Sequence, residues 1–351
     1  MTVRLLVYGA NGYTGEMIAR AAVAAGLHPV LAGRSSGPVE ALAHELGCES
    51  RVFALDDPAA VAAALSGCRV VVHCAGPFSA TAAPMMAGCL AARAHYTDIT
   101  GEIDVFELGF RNDEAARRAG IVICPGVGFD VVPTDCVAST LKNALPDATH
   151  LALGFDTRGG LSRGTAATSV EGLGHGSRVR EGGTLVRIPL GSRSRRIDFG
   201  AGEKLATAIP WGDVSTAYRT TGIPDIEVYV PVSPGALANL RRLGRLGWFL
   251  RRRSVQALLK WRIRKGAPGP TAEQRERAPV YVWGEARNAS GRTVTARLRV
   301  PNGYTVTTDA AVAIARRLLE SAAAPGFTTP ARLMGAAFVT TLPGAGRITL
   351  E

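Results

Sequence analysis

The stretch VRLLVYGANGYTGEMIARAAVAAGLHPVLAGRSS, Val3 to Ser36, decides how this chain folds. Arg4 to Tyr8 is a short apolar run closed by glycine, as in a strand buried in a parallel sheet. Gly9, Gly12 and Gly15 follow at G-x-x-G-x-x-G spacing. From Tyr13 the residues Met17, Ile18, Ala21, Ala22 and Ala25 form an apolar helical stripe. Gly26 stops that helix, and His28 to Ala32 is a second short strand. Strand, glycine turn, helix and strand make the unit that binds a dinucleotide. The first glycine permits the tight turn, the second lets backbone approach a pyrophosphate, and the third lets helix pack closely on strand. The helix N-terminus then supplies N–H groups to the phosphates. The bland alternative is a glycine turn in a doubly wound sheet with no ligand.

The end of the second strand selects the cofactor. An NAD site usually carries Asp or Glu there for the ribose hydroxyls. This chain has Gly33-Arg34-Ser35-Ser36, without an acid. With Ser35 beside it, the Arg34 guanidinium is placed to grip a 2′-phosphate bidentately, which predicts NADP(H). The competing reading of Arg34 is a solvated loop cation.

The 351 residues, 47% of them hydrophobic, are enough for two domains with their own cores. No segment approaches the ~18 consecutive apolar residues of a membrane span. The immediate entry into a strand predicts no signal peptide. The six cysteines are scattered without C-x-x-C spacing, as in a reduced, cytoplasmic protein. The six histidines show no metal-ligand spacing, so no metal is expected. The net charge of +11 is uneven: residues 1–150 hold 10 Lys/Arg against 15 Asp/Glu, so the basic excess belongs to the second half.

Further strands are expected at Arg51–Leu55, Arg69–Cys74, His95–Asp98 and Ile121–Cys124, alternating with helical patterns that include Thr81–Arg93 and Asp104–Ala119. At Asp56-Asp57-Pro58, after the third strand, an acid such as Asp56 accepts a hydrogen bond from an adenine amino group, or the acid caps a helix Ala59–Leu65, since Asp before Pro is a common helix start. The turn Ala75-Gly76-Pro77 after the fourth strand is expected to face the nicotinamide half. Val132 to Ala144 reads as a helix leaving this domain. Beyond Thr149, strand-like runs separated by glycine turns predict a largely antiparallel sheet, with a helix near Ser162–Leu173, an amphipathic helix Thr308–Ala323 and a last apolar strand Ala336–Leu342. The expected fold is therefore α/β: an N-terminal Rossmann-type doubly wound parallel sheet over 1–145, then a second α+β domain with a mainly antiparallel sheet over 146–307. Segment 308–351 is expected to pack back on the first domain.

Arg241 to Lys265 carries ten Lys/Arg and no acid, interleaved with Leu243, Leu246, Trp248, Phe249, Leu250, Leu258, Leu259, Trp261 and Ile263. A basic amphipathic helix with tryptophans suits peripheral contact with an anionic membrane or an acidic carrier protein. It suits nucleic acid too, but no nucleic-acid motif accompanies it, so none is expected as a partner. The same pattern also fits a solvated helix face packed on the sheet.

YGANGYTG at Tyr8–Gly15, CAGPF at Cys74–Phe78, HYTDITGE at His95–Glu102 and VGFDVVPTD at Val127–Asp135 resemble, in order and spacing, the cofactor-domain motifs of the saccharopine dehydrogenase-like oxidoreductases. SRGTAATSVEGL at Ser162–Leu173, PNGYTVTTDAAVAIARRLLE at Pro301–Glu320 and FTTPARLMGAAFVTTLPG at Phe327–Gly344 resemble the branch called trans-acting enoyl reductases. The resemblance implies an NADPH-dependent reductase of an enoyl double bond on a lipid or polyketide acyl chain carried by a separate synthase. It implies that Gly9, Asn11, Gly12, Tyr13, Thr14 and Gly15 line the pyrophosphate, that Arg34 meets the 2′-phosphate, and that Ala75, Gly76 and Pro77 pass near ribose and nicotinamide. Imine or ketone reduction on a small metabolite, and NADP(H) binding without turnover, remain as alternatives. A homodimer is compatible with all three.

Enoyl reduction needs a hydride at the β-carbon, a donor near the thioester oxygen and a proton for the α-carbon. Tyr96, Asp130, Thr134, Ser162, Arg163, Thr165 and Tyr218 are the polar candidates near the crevice. Asp130 could equally cap the helix starting near Val132, and no single catalytic residue follows from the sequence.

Overall fold

The computed structural model describes residues 4–157, 176–245 and 278–351, with Arg252, Val255, Thr271, Glu273 and Gln274 between them. The chain divides into two units: Met1–Val132 with Tyr304–Gly335, and Pro133–Gly303 with Ala336–Glu351.

In the first unit, β1 (Arg4–Tyr8), β2 (Val30–Gly33), β3 (Ser50–Val52), β4 (Cys68–His73), β5 (His95–Asp98) and β6 (Val122–Cys124) alternate with helices. These are α1 (Tyr13–Ala24), α2 (Ser36–Leu46), α3 (Pro58–Ala64), α4 (Phe78–Ala92), α5 (Ile103–Arg111) and α6 (Asp113–Ala119). All ladders are parallel, in the order β6-β5-β4-β1-β2-β3, with a seventh strand, Gly326–Phe327, beside β6. Central strands covered on both faces need apolar residues throughout. Leu6 and Val7 of β1 and Val70, Val71 and Val72 of β4 are accordingly buried. The strand order reverses between β1 and β4, and the crevice outside their carboxyl ends is where such sheets bind ligands.

Two details of this unit differ from the sequence reading. The single helix expected over Asp104–Ala119 is broken at Asn112, whose side-chain amide donates to the Leu108 carbonyl (3.0 Å); asparagine competes for backbone partners in this way. Asp113, starting α6, instead accepts from the N–H of Phe327 (2.7 Å) and so holds the seventh strand.

The second unit carries a mixed sheet of nine strands. Its described strands include β7 (Ala148–Thr157), β8 (Ser177–Glu181), β9 (Thr184–Ile188), β10 (Ser194–Asp198), β11 (Glu203–Ala208), β12 (Asp225–Pro231), β13 (Val280–Asn288) and β14 (Thr293–Val300). Only the β7–β12 pair among these ladders is parallel. Helix α7 (Val132–Ala144) packs on β13: a side chain at Gly284 would meet Val137 at 2.6 Å and Leu141 at 2.8 Å. The unit boundary falls after Val132, the first residue of α7. Alternate residues of β13 face the other way, where Trp283 joins Phe199, Tyr229, Ile197 and Ala206 in a second core. Arg195 seals it, bidentate to Glu285 (2.9 and 3.0 Å) and stacked over Trp283.

The chain end also departs from expectation. Ala336–Leu342 contains a 3₁₀ turn, Phe338–Thr341, in place of a strand. Phe338, Val339 and Leu342 are buried as expected of an apolar run. The hydroxyls of Thr340 and Thr341 bond back to the carbonyls of Ala337 and Phe338 (both 2.7 Å), which favours a turn over a ladder. The terminal strand is Thr349–Leu350, paired with β14. The returning helix runs Gly303–Glu320, starting before the expected Thr308. The expected helix at Ser162–Leu173 lies outside the described residues.

Candidate functional site: the nucleotide crevice of the first unit

The glycine turn is built by contact. Gly9, at φ +79°, leaves β1 with its N–H on the Ala32 carbonyl (2.8 Å). A side chain there would stand 2.9 Å from the backbone nitrogen of Ala75, so the turns after β1 and β4 meet at this glycine. At Gly15 a Cβ would lie 2.1 Å from the Gly9 carbonyl oxygen, so the helix can pack here only without a side chain. Gly12 is different: it is exposed, and the one close atom is the Gly9 oxygen at 3.2 Å. Its openness is what an approaching phosphate requires. The N–H groups of Tyr13, Thr14 and Gly15 lie in the first turn of α1, where a helix offers no internal acceptors. Glu16 would repel a pyrophosphate, but its carboxylate is taken by Arg20 (2.8 and 3.0 Å).

At the adenosine end, Asn11 reaches over the end of β2, its Oδ1 3.1 Å from where a Gly33 Cβ would be. Exposed Arg34 follows, and Ser35 stands at the N-cap of α2 without a side-chain cap bond. Tyr8 donates to the Phe53 carbonyl (3.0 Å). Burial pushes its hydroxyl pKa up, Arg34 draws it down and Asp56 adds to the rise. Arg34 and Asp56 thus both act on this hydroxyl through charge, although they are far apart in sequence. Asp57, the acid before Pro58, caps α3, accepting from Ala59 N–H (2.9 Å).

The turn after β4 is held from below. The Thr81 hydroxyl lies 2.7 Å from the Ala75 carbonyl oxygen and 3.1 Å from that of Pro77. His73 Nε2 lies 2.9 Å from the same hydroxyl. A hydroxyl has one hydrogen, so with Thr81 donating to Ala75, Nε2–H of His73 must donate to Thr81. Burial keeps His73 neutral, its pKa down at about 3. Gly76 and Pro77 remain exposed, presenting backbone to the crevice.

Beyond this turn, the loops after β5 and β6 interlock. Buried Asp98 accepts from Tyr96 O–H (2.6 Å), Thr100 N–H (3.0 Å) and Gly126 N–H (2.8 Å). Burial raises its pKa to about 6, opposed by these donors. Glu102 reaches the start of α4, accepting from Phe78 N–H (2.9 Å) and Ser79 N–H (2.7 Å). Asp130 lies over Gly101, where a Cβ would be 2.9 Å from its Oδ2. Desolvation, with a smaller contribution from Glu102, raises the Asp130 pKa to about 7. The returning helix completes the rim: Thr307 accepts from Phe129 N–H (2.9 Å), and Tyr304 meets Tyr13 edge-on at 5.1 Å.

Of the polar candidates, Asp130 lies in this crevice, whereas Tyr96 is wholly buried and committed to Asp98. Thr134 and Tyr218 belong to the second unit, where the guanidiniums of Arg180 (4.3 Å) and Arg219 (5.4 Å) lie over the Tyr218 ring. Ser162, Arg163 and Thr165 fall outside the described residues, as does most of Arg241–Lys265. Sequence reasoning missed Glu102, Thr81, Tyr304 and Thr307. The tight spacing of Gly101-Glu102 and the position of Thr81 in the first turn of α4 were the available signals. The described residues hold no cluster of three metal-ligating side chains, and no helix among them is long and apolar enough to cross a membrane.

The glycine cradle, the open face at Gly12, the cation at Arg34 and the lack of an acid after β2 fit NADP(H). Residues 5–124 match the family model of the saccharopine dehydrogenase NADP binding domain. The first unit contains a saccharopine dehydrogenase-type NADP-binding domain. The chain is 30% identical over 191 residues to a provisionally named trans-acting enoyl reductase of Mycobacterium tuberculosis, covering 48% of this chain and 44% of that one. It is 26% identical over 203 residues to the human saccharopine dehydrogenase-like oxidoreductase, covering 50% and 47%. The matches thus span less than half the length of these relatives. In fold it resembles saccharopine dehydrogenase (L-Glu forming) of Saccharomyces cerevisiae, with a TM-score of 0.66 over 99% of both chains at 12% identity.

Proposed function

We propose that this protein is an NADPH-dependent oxidoreductase that reduces an enoyl double bond on a lipid or polyketide acyl chain. What supports the reading is the pairing of a glycine crevice that fits NADP(H) with a carboxyl, Asp130, held over Gly101 by the loops after β5 and β6. Bound NADPH supplies a hydride. Gly9 to Gly15 hold the pyrophosphate, Arg34 and Ser35 hold the 2′-phosphate, and Asp56 takes the adenine amino group. Ala75, Gly76 and Pro77 line the ribose and nicotinamide by backbone alone, which leaves room for an acceptor. The names of the mycobacterial relatives support an enoyl acceptor over an imine or a ketone.

The basic segment Arg241–Lys265 is proposed to receive an acidic acyl carrier bearing that chain. The test is NADPH oxidation by the purified protein with enoyl-thioesters, imines and ketones in parallel. Turnover confined to enoyl-thioesters is the expected result. Turnover confined to imines or ketones moves the reading to small-metabolite reduction, and tight NADPH binding with no turnover removes the enzymatic reading.

A further inference from the structure

We propose that Asp98 is a positioning residue for the nicotinamide half of the cofactor: its buried carboxylate ties the loops after β5 and β6 to each other, and protonation slackens that tie. The inference rests on the reading of the crevice as an NADP(H) site and is independent of which acceptor is reduced.

The tie is drawn from hydrogen bonds of one residue. Asp98 ends β5 and is fully buried. Its Oδ1 accepts from two N–H groups in different loops, Thr100 after β5 (3.0 Å) and Gly126 after β6 (2.8 Å). Its Oδ2 accepts from the Tyr96 hydroxyl (2.6 Å). Its backbone carbonyl accepts from Val127 N–H (2.7 Å). Pro125 has no N–H, so the first two N–H groups beyond β6 both end on Asp98. Gly126 is pressed into place, since a Cβ there would stand 2.7 Å from Phe106 and 2.8 Å from Val131.

The bonds run on to the turn after β4. The Thr100 hydroxyl accepts from Glu102 N–H (3.0 Å), and the Glu102 carboxylate accepts from Phe78 N–H (2.9 Å) and Ser79 N–H (2.7 Å). Those are the first two N–H groups after Pro77, which closes the turn assigned above to ribose and nicotinamide. Asp98 therefore governs the spacing of three loops at one end of the crevice. The adenosine end, at Arg34 and Asp56, has no bond to this chain of contacts among the described residues.

An ionised carboxylate only accepts, and its bonds are charge-assisted. With a proton, one oxygen becomes a donor among groups that all donate. The Tyr96 hydroxyl can turn to accept from Oδ2, whereas the N–H groups facing Oδ1 are fixed in the backbone. Their bonds then run to a neutral oxygen and weaken. Desolvation raises the Asp98 pKa to about 6, opposed by the bonds from Tyr96, Thr100 and Gly126. Of the groups around it, His73 lies across the ladder on β4 and stays neutral down to about 3. Burial pushes up the thiols of Cys74 and of Cys89 on α4, and the Tyr96 hydroxyl. Cys124 ends β6, and Glu102 and Asp130 occupy the adjoining loops. Asp130 titrates higher, at about 7, and substitution at Asp98 separates the two.

Equilibrium binding of NADPH and of 2′-phospho-ADP-ribose from pH 5.5 to pH 7.5 tests this without turnover. The two ligands share the adenosine, the 2′-phosphate and the pyrophosphate, so titration at those groups cancels in the ratio of the Kd values. The dihydronicotinamide ring is neutral, so direct attraction to a carboxylate does not enter. For the wild type, the advantage of NADPH over 2′-phospho-ADP-ribose should shrink by about threefold to tenfold as pH falls through about 6. In Asp98→Asn, whose amide oxygen is a neutral acceptor at every pH, the advantage should be small throughout and should not change with pH. In Tyr96→Phe a bond that lowers the Asp98 pKa is lost, so the step should persist with its midpoint above pH 6. Should Asp98→Asn not fold, the midpoint in Tyr96→Phe decides. A flat wild-type ratio, the wild-type step retained in Asp98→Asn, or an unmoved midpoint in Tyr96→Phe overturns the proposal. Equal weakening of both ligands in Asp98→Asn overturns it too, because the residue would then support the whole crevice. Failure of the wild type to bind either ligand would instead remove the cofactor reading itself.

Discussion

Gly15 touches Gly9: a Cβ on the first would stand 2.1 Å from the carbonyl oxygen of the second. Gly12, between them, is exposed, and a Cβ there would meet one atom, the Gly9 carbonyl oxygen at 3.2 Å. The two positions should therefore fail in different ways. Gly15→Ala has to push helix from strand and should destabilise the protein by about 1–3 kcal/mol, the usual cost of overpacking. Gly12→Val should leave thermal unfolding nearly unchanged while weakening NADPH more than tenfold by blocking the pyrophosphate. Thermal melts and calorimetric titration of both variants check the contrast.

Arg34 should decide between the cofactors. Arg34→Asp removes a charge-assisted contact, typically about 1.5–3 kcal/mol, and adds repulsion toward the 2′-phosphate. NADPH binding should weaken by roughly tenfold to a hundredfold or more, with NADH changed little. Equal losses for both in parallel titrations would refute the assignment.

Thr81 should act on one half of the cofactor only. Thr81→Val removes the bond that restrains the Ala75 carbonyl and leaves the His73 N–H buried without its acceptor. NADPH should bind several-fold more weakly, whereas adenosine 2′,5′-bisphosphate, which does not reach the nicotinamide turn, should bind as to the wild type. Weakening of both ligands would point to general unfolding of the crevice.

Acid stability follows from opposing buried groups. His73 and His95 have folded pKa values of about 3 and about 4, below the ordinary 6.5, because burial disfavours their charged forms. The unfolded chain therefore binds more protons below pH 6.5, and these histidines cost stability as pH falls. Asp98 and Asp130 run the other way. With folded pKa values of about 6 and about 7 against 3.8, they take up protons in the folded state first and favour it as pH falls. The two pairs offset each other between pH 6 and pH 4. Asp130→Asn removes one offsetting group, so stability should fall more steeply on acidification, by at most about 1.4 kcal/mol per pH unit. Urea unfolding at pH 4.5 and pH 6 measures the change in slope.

The basic segment should bind through charge. Arg251, Arg252 and Arg253 replaced by Gln should abolish association with an acidic carrier, and NADPH affinity should stay the same. Screening over roughly 8–10 Å at physiological salt predicts that wild-type binding fades as salt rises. A pull-down at low and high salt reads this, and sedimentation with anionic vesicles shows whether a membrane is bound instead. No association in either assay at low salt would leave the segment as a solvated helix face.

The parallel sheet was legible because its signals are local. A glycine turn, a helical stripe and short apolar runs specify β1 to β6 without knowledge of distant residues. Arg34 was legible for the same reason, since its place relative to the strand end is set by a short count. Glu102 was not, because its role depends on N–H groups of α4 that lie far back in sequence. Thr307 and Tyr304 were hidden likewise, since nothing near them in sequence announces that their helix returns to the nucleotide crevice. The apolar run at Ala336–Leu342 shows the converse limit: it declares burial, while the threonine hydroxyls choose the conformation.

The seventh strand carries a consequence for how the protein is made. Gly326–Phe327 pairs beside β6, and the helix Gly303–Glu320 meets the nucleotide turns through Tyr304 and Thr307, while Arg316 donates to the Ala25 carbonyl (2.6 Å) and Arg69 to the Leu318 carbonyl (3.1 Å). A ribosome therefore releases β1 to β6 long before the residues that finish their sheet exist. During that interval the β6 edge stands open to other strands, and the nucleotide pocket lacks part of its rim. Pairing across so large a sequence separation is slow, so cofactor capture belongs to the last stage of synthesis, and a nascent chain stalled before Gly326 is the form most exposed to aggregation.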